Sequence, residues 1–316
     1  MTDMPDLIAL SSPTEERNPA TTDLDTLPSA ELTWRILGAD AQVITAVQAL
    51  AVPLAALVDA CVAAIVAGGT VHYVGAGTSG RLAVLDAAEL APTFNAGPEL
   101  FRAHLAGGPE AMLHAVEGAE DSSDLGAALI AEHCGPDDLV IGLAASGRTP
   151  FVGGALAAAR ERGLVTGLIS ANPQASLATL ADHALLADVG PEVVTGSTRM
   201  KAGTAQKLLL NALSTATMVR LGKTYSNLMI DVRPSNEKLV ARTVRMLVQA
   251  SGVDAAEAGR VLEEAGGSVR VALIALLAGS DAAAAREAAD RFAPDAARIG
   301  DPAGIRAAVA SLGTAG

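Results

Sequence analysis

The chain has 316 residues, half of them hydrophobic but only 2% aromatic, and a formal net charge of −13. That length buries a sizeable core, in one large domain or in a domain with an appendage. The acidic balance repels polyanions and the scarcity of aromatic rings removes base-stacking platforms, which argues against nucleic acid as a partner and leaves small anions possible if local donors meet them.

The first 30 residues carry Pro5, Pro13, Pro19 and Pro28 among Ser, Thr and Asp, the texture of a surface-wrapping arm. Its inner part, "TEERNPATTDLDTLPS", is too specific for a mere tail. No basic start leads into an apolar stretch, and no run of about 18 apolar residues marks a membrane span, so the expected setting is the cytoplasm, with no membrane partner. Two helices, broken near Pro53, are expected between Ala30 and Ala67, followed by a strand from Thr70 to Val74. A helix from Arg81, a strand near Leu105, helices across 109–133, a strand over 138–145, a helix from Pro150 and strands over 165–170 and 183–189 come next. Short apolar strands alternating with helices predict an α/β fold with a parallel sheet covered on both faces, its ligand at the carboxyl ends of the strands.

After Thr198 the strand signal stops and long helices are expected. Beyond Gly252 the chain is Ala-rich, and "DAAEAGRV" returns in part as "DAAAAREA", the mark of a small bundle of short helices. The expected division is an arm over 1–30, a sheet domain over 31–250 and a helical domain over 251–316. Cys61 and Cys134 show no paired spacing, and the five histidines show no ligand spacing, so neither a disulfide framework nor a metal site is expected.

The chemistry begins with "VHYVGAGTSGR". Its Gly75, Gly77 and Gly80 have the G-x-G-x-x-G spacing of a dinucleotide turn. The acidic residue that would hold a ribose, roughly 20 positions on, is missing, because the next strand runs out into Ala106, Gly107 and Gly108. Gly77, Thr78 and Ser79 instead set backbone N–H groups and two hydroxyls at a helix start, which is an anion cradle. The stretch "AASGRTP" repeats the arrangement with Ser146, Gly147 and Thr149 ahead of Pro150, a residue favoured at the first helical position. Two such cradles on equivalent strand ends can converge on one phosphate monoester, and with no Walker lysine after either loop a nucleoside triphosphate is disfavoured. A third segment, "TGSTRMKAGT", offers Ser197, Thr198, Arg199 and Lys201. Acid–base candidates are Glu89, expected about two turns into the helix after the first loop and among the apolar Leu90, Ala91 and Pro92, and Glu117, beside Gly118 near a helix end or turn.

From "TEERNPATTDLDTL" through "VGAGTSGRLAVLDAAELAPTF", "GGPEAMLHAVEGAEDS", "GLAASGRTPFV", "VVTGSTRMKAGTAQKLLLN" and "NLMIDVRPSNEKL", the chain resembles the N-acetylmuramic acid 6-phosphate etherases of the sugar isomerase (SIS) domain superfamily. The resemblance covers roughly residues 14 to 250 closely and the remainder more loosely. It implies a three-layer α/β/α SIS domain with a small ubiquitin-associated-like helical domain, and cleavage of the D-lactyl ether of N-acetylmuramic acid 6-phosphate to N-acetylglucosamine 6-phosphate and D-lactate, in the recycling of cell-wall sugars. It further implies a cytoplasmic homodimer, no metal or organic cofactor, Glu89 as proton donor and Glu117 as the second catalytic carboxylate. Ala88, Leu90 and Ala91 stand where the family usually has Ser, Cys and Pro. A sugar-phosphate-binding regulator and an aldose–ketose isomerase are the alternatives.

Overall fold

The computed structural model describes residues 12–114, 116–231 and 237–313; the first eleven residues of the expected arm lie outside them, as do positions 232–236 of "NLMIDVRPSNEKL". By its contacts the chain divides into two compact units, one made of Met1–Ala88 and Pro98–Leu213, the other of Glu89–Gly97 and Ser214–Gly316.

In the first unit, helices α1 (Ser29–Ala39), α2 (Ala41–Gln48) and α3 (Ala51–Val66) precede the first strand. Then β1 (Val71–Gly75), α4 (from Gly77), β2 (Phe101–Leu105), α5 (Ser123–His133), β3 (Leu139–Leu143), α6 (Pro150–Glu161), β4 (Val165–Ser170) and β5 (His183–Leu186) follow. All five strands are parallel, in the order β2-β1-β3-β4-β5. Alternation along each strand divides the side chains between two covered faces. Val74, Val140 and Leu168 pack with Val152, Ala155 and Leu156 of α6, and α5 packs on α6. On the opposite face α3 packs against β1, β3 and β5, with Leu57 beside Gly167 and Ile141. The three-layer α/β architecture expected from the alternation is therefore present.

The strand order places the site. From β1 the chain steps to β2 on one side, then crosses back to β3 on the other, and goes on outward to β4 and β5. The loops after β1 and β3 thus diverge from neighbouring strand ends, with Gly75 in register with Leu143, and a crevice opens between them.

Two local expectations are corrected. Helix does not fill 109–133: a short 3-10 turn (Pro109–Met112) and α5 are separated by a loop that carries Glu117, with Gly107, Gly108 and Gly118 at positive φ. Strand structure also does not end at Thr198, since β6 (Thr224–Tyr225) and β7 (Leu228–Met229) form an antiparallel ribbon turned at Ser226 and Asn227. Strands of two residues are too short to show an alternating pattern.

The second unit is largely helical. It holds the end of α4, which runs to Phe94, part of α7 (Lys201–Arg220), the ribbon, and α8 (Glu237–Ser251), α9 (Ala255–Glu264), α10 (Val269–Ala278), α11 (Ala282–Arg291) and α12 (Ile305–Gly313). Ile230, Leu247, Ala258, Ile274, Ala285 and Ile305 share its core. Because Leu247 and Ile230 are buried there, the division falls at Leu213, well before the change of composition near residue 250. The repeated "DAA" has a plain cause. Asp254 and Asp281 each cap a helix, accepting the backbone N–H of Glu257 and Ala284 at 2.9 and 2.8 Å.

Candidate active site

The glycine spacing after β1 is explained by steric demand. A Cβ on Gly80 would lie 2.5 Å from the Gly75 carbonyl oxygen, and Gly77 has φ +52°. The chain can therefore turn from strand directly into helix, with Gly80 donating the first N–H to Ala76 at 3.1 Å. The N–H groups of Gly77, Thr78 and Ser79, in the first helical turn, have no earlier carbonyl to bond and face out of the helix end. Ser79 is buried and its Oγ donates to Gln206 Oε1 at 2.9 Å.

The loop after β3 is propped by its neighbour. Asn172 Nδ2 donates to the Ser146 carbonyl at 2.9 Å, Ser170 Oγ to that of Ala145 at 3.1 Å, and Leu177 N–H to that of Gly147 at 3.1 Å. Gly147 has φ +69°, and a Cβ there would strike Ala175 at 2.2 Å. Pro150 opens α6, and Thr149 stands at its N-cap without using its side chain to cap. That leaves the Thr149 hydroxyl available to a ligand.

These loops meet on one cavity of about 430 Å³, lined by Gly77, Thr78, Ser79, Ser146, Thr149 and Thr198. Gly147 shapes the loop without lining it. Arg148 also lines the cavity and supplies a cation that the reading of the loops as neutral cradles passed over, although it stands between Gly147 and Thr149. Glu15, Glu120 and Asp121 share the wall. An adjoining cavity of about 230 Å³ shares Ala76, Gly77, Glu120 and Asp121 with it and is lined by Glu117, Arg81 and His114. Glu117 is therefore next to the phosphate loops, on an exposed turn that leaves its carboxylate open to a ligand.

Other expected residues lie elsewhere. Lys201 is 2% exposed, and its Nζ donates to the Val189 carbonyl and, at 3.5 Å, to Gln42 Oε1, so it does not reach the cavity. Burial pushes its ammonium pKa down. The N-terminus of α7 is already filled by Glu192, a fully buried carboxylate that accepts from Lys201 N–H at 3.0 Å and Ala202 N–H at 2.9 Å. Burial raises the Glu192 pKa against those two bonds. The third segment thus contributes Thr198, while Ser197 lies outside the lining. Glu89 is the thirteenth residue of α4, more than three turns in, and is exposed, lining neither cavity. Leu90 is buried, but successive helical residues point about 100° apart, so an apolar neighbour in sequence does not bury Glu89.

Away from this site a polar chain crosses the sheet. Asp138 accepts from the Thr70 and Gly135 N–H groups, each at 2.7 Å, and pairs with His72 Nε2 at 2.9 Å; His72 Nδ1 in turn pairs with His104 Nε2 at 2.8 Å. Burial drives His104 down to about 3 and also lowers His72. Burial alone would raise Asp138, but its hydrogen bonds outweigh that and hold it below the usual carboxylate value. His72, Cys134 and Asp138 offer three donor atoms within 4.8 Å of one another. The carboxylate is already occupied by two backbone donors and an imidazole, so the group is accounted for as an internal hydrogen-bond chain.

The description "SIS domain" fits residues 115–216, and that of the N-terminal SIS domain of glucokinase regulatory protein fits residues 53–160. A Symbiobacterium thermophilum protein named N-acetylmuramic acid 6-phosphate etherase is 53% identical over 84% of this chain and 89% of its own. Proteins of the same name from Salmonella dublin and Salmonella enteritidis are each 51% identical, over 86% of this chain and 92% of theirs. The chain belongs to the N-acetylmuramic acid 6-phosphate etherase family. The SIS match contains the loop after β3 and Glu117, and the glucokinase regulatory protein match contains both phosphate loops, so apart from Glu15 the residues of this site fall inside the matched ranges. Among the described residues no single helix of this etherase-family chain is long and apolar enough to cross a membrane.

Proposed function

We propose that this chain cleaves the D-lactyl ether of N-acetylmuramic acid 6-phosphate, giving N-acetylglucosamine 6-phosphate and D-lactate. The observation that carries the reading is the placing of two hydroxyl-bearing loops on adjacent strand ends around one cavity, beside a second cavity lined by Glu117. The phosphate binds at the first-turn N–H groups of α4 and at Thr78, Ser146 and Thr149, with Arg148 balancing its charge.

An alkyl ether is a poor leaving group, so direct displacement by a carboxylate is slow. Opening the sugar to its aldehyde acidifies the hydrogen on carbon 2. Glu117 removes that proton, the bond between carbon 3 and oxygen breaks, and Glu89 protonates the departing lactyl oxygen. Water then adds across the double bond, hydroxide to carbon 3 and a proton to carbon 2, with the same two groups acting in reverse. No electrons change hands, so the scheme calls for no redox cofactor.

The reading includes a homodimer, in which Glu89 of one copy protonates the leaving group at the site that Glu117 of the other copy lines. An apolar surface supports this: Trp34 and Leu37, one turn apart on α1, are 73% and 66% exposed. We place the reaction in the cytoplasm, where a phosphorylated sugar is retained.

The test is release of D-lactate from N-acetylmuramic acid 6-phosphate by the purified chain. In heavy-oxygen water the label is expected at carbon 3 of the sugar, and label confined to lactate would overturn the elimination. A regulator with the same phosphate loops would bind the sugar phosphate and release nothing.

A further inference from the structure

The inner part of the N-terminal arm is fastened to the segment that leads into α7. Gly196 donates its N–H to the Thr14 carbonyl at 2.9 Å, Asn18 Nδ2 donates to the Pro191 carbonyl at 3.2 Å, and Thr21 Oγ1 to the Val193 carbonyl at 2.9 Å. Ser12 and Thr14 are buried, and their hydroxyls pair with each other at 2.9 Å. Ordering such a segment costs conformational entropy, and short polar side chains bury little apolar surface in return.

What the fastening delivers is Glu15. Its carboxylate lies against Gly196, where a Cβ would come within 3.0 Å of Oε2, and it lines the same cavity as Thr78, Ser79, Ser146 and Thr149. Among the described residues no hydrogen bond or ion pair engages that carboxylate. An acid beside a phosphate cradle is unfavourable for the phosphate itself, so its partners must be the neutral donors of the rest of the ligand.

We infer that Glu15 is a sugar-recognition residue: its carboxylate accepts hydrogen bonds from hydroxyl groups of the sugar whose phosphate occupies the loops after β1 and β3. This rests on the sugar-phosphate reading above and adds to it a contact from a segment outside the sheet. A carboxylate accepts from two vicinal hydroxyls at once, which a phosphate or a simple alcohol phosphate cannot offer.

The experiment is calorimetric titration of the full chain and of Glu15→Gln with N-acetylglucosamine 6-phosphate and, separately, with inorganic phosphate. Glu15 is exposed, and among the described residues only its backbone N–H is bonded, to the Ser12 carbonyl, while its carboxylate is not, so the variant is expected to fold as the parent does. Loss of charge-assisted bonds should weaken the sugar phosphate by about 10-fold or more, while inorganic phosphate binds equally well or tighter once the negative charge is gone. Glu15→Asp, which keeps the charge but retracts it, should also lose sugar affinity without gaining phosphate affinity. The inference is overturned if Glu15→Gln binds the sugar phosphate as the parent does, or if both ligands weaken together. If the parent itself binds no sugar phosphate, the sugar-phosphate reading falls and takes this inference with it.

Discussion

The backbone N–H of Phe151 donates to the carbonyl of Glu120 at 3.0 Å, which hooks the Glu117 loop to the first turn of α6, directly after the Ser146 loop. The other end of the loop is held by Arg81, whose guanidinium donates to the carbonyls of Ala111 at 2.9 Å and His114 at 3.4 Å. Arg81 is the last residue of "GTSGR", so the proposed base is braced on both phosphate loops at once. Lysine keeps the charge but cannot span two carbonyls with a planar fork. Arg81→Lys is therefore expected to lower kcat by roughly 10- to 100-fold through misplacement of Glu117. Affinity for inorganic phosphate should stay within a small factor. Steady-state kinetics with phosphate titration checks this, and an unchanged kcat would show that the loop holds its place without the arginine.

The two loop serines should differ in what they lose. Ser79 Oγ is the donor to Gln206 Oε1, and Gln206 is 1% exposed, its Nε2 without a partner among the described residues. Removing the hydroxyl leaves a second buried polar atom unsatisfied, so Ser79→Ala should cost about 1–3 kcal/mol of stability besides any loss of binding. Ser146 is half-buried, and it is its carbonyl that Asn172 holds. Ser146→Ala should weaken sugar-phosphate binding with little change in stability. Urea midpoints and calorimetry separate the two effects, and a Ser79→Ala protein as stable as the parent would show that its hydroxyl is not a structural bond.

Much of this was legible from residue pattern alone because the signals are local. Short apolar strands, glycine at a strand-to-helix turn and hydroxyls before Pro150 each report geometry within a few positions. What escaped depends on partners far away in sequence. Lys201 reads as a cation at a helix start, yet Glu192, nine positions earlier, fills that helix end and the ammonium turns to Val189. Glu15 lies about 60 residues or more from every loop it faces, and only the bonds to Pro191, Val193 and Gly196 bring it there. Glu89 misled for another reason: an apolar sequence neighbour on a helix covers a different face.

The Asp138–His72–His104 chain makes an expectation about acid. His104 and His72 titrate below an ordinary histidine because burial penalises their charged forms. In that window the unfolded chain binds more protons than the folded one, so stability rises with pH; it is complete above about pH 6.5 and is lost as pH falls toward the folded value near 3. Asp138, also held low, adds a loss of the same sign at lower pH, below about 4. The urea midpoint should fall steadily from about pH 7 to about pH 5, and His104→Leu should flatten that slope. A midpoint independent of pH across this range would mean that both histidines take up protons in the fold as readily as in the unfolded chain.

Glu117 and Glu89 are open to a sharper test than single substitution. Glutamine keeps the size of either side chain and removes proton exchange, so Glu117→Gln and Glu89→Gln should each lower turnover by roughly 100-fold or more while sugar-phosphate binding survives. In the proposed homodimer each working site draws Glu117 from one copy and Glu89 from the other. Mixing the two inactive variants and allowing subunit exchange then rebuilds one intact site in every mixed dimer and leaves the other site with neither acid. Random exchange at equal amounts makes half the dimers mixed, so D-lactate release should recover to about one quarter of the parent rate. No recovery after exchange, with mixed dimers confirmed by mass, would place both carboxylates on one chain and would require α4 to turn Glu89 inward when substrate binds.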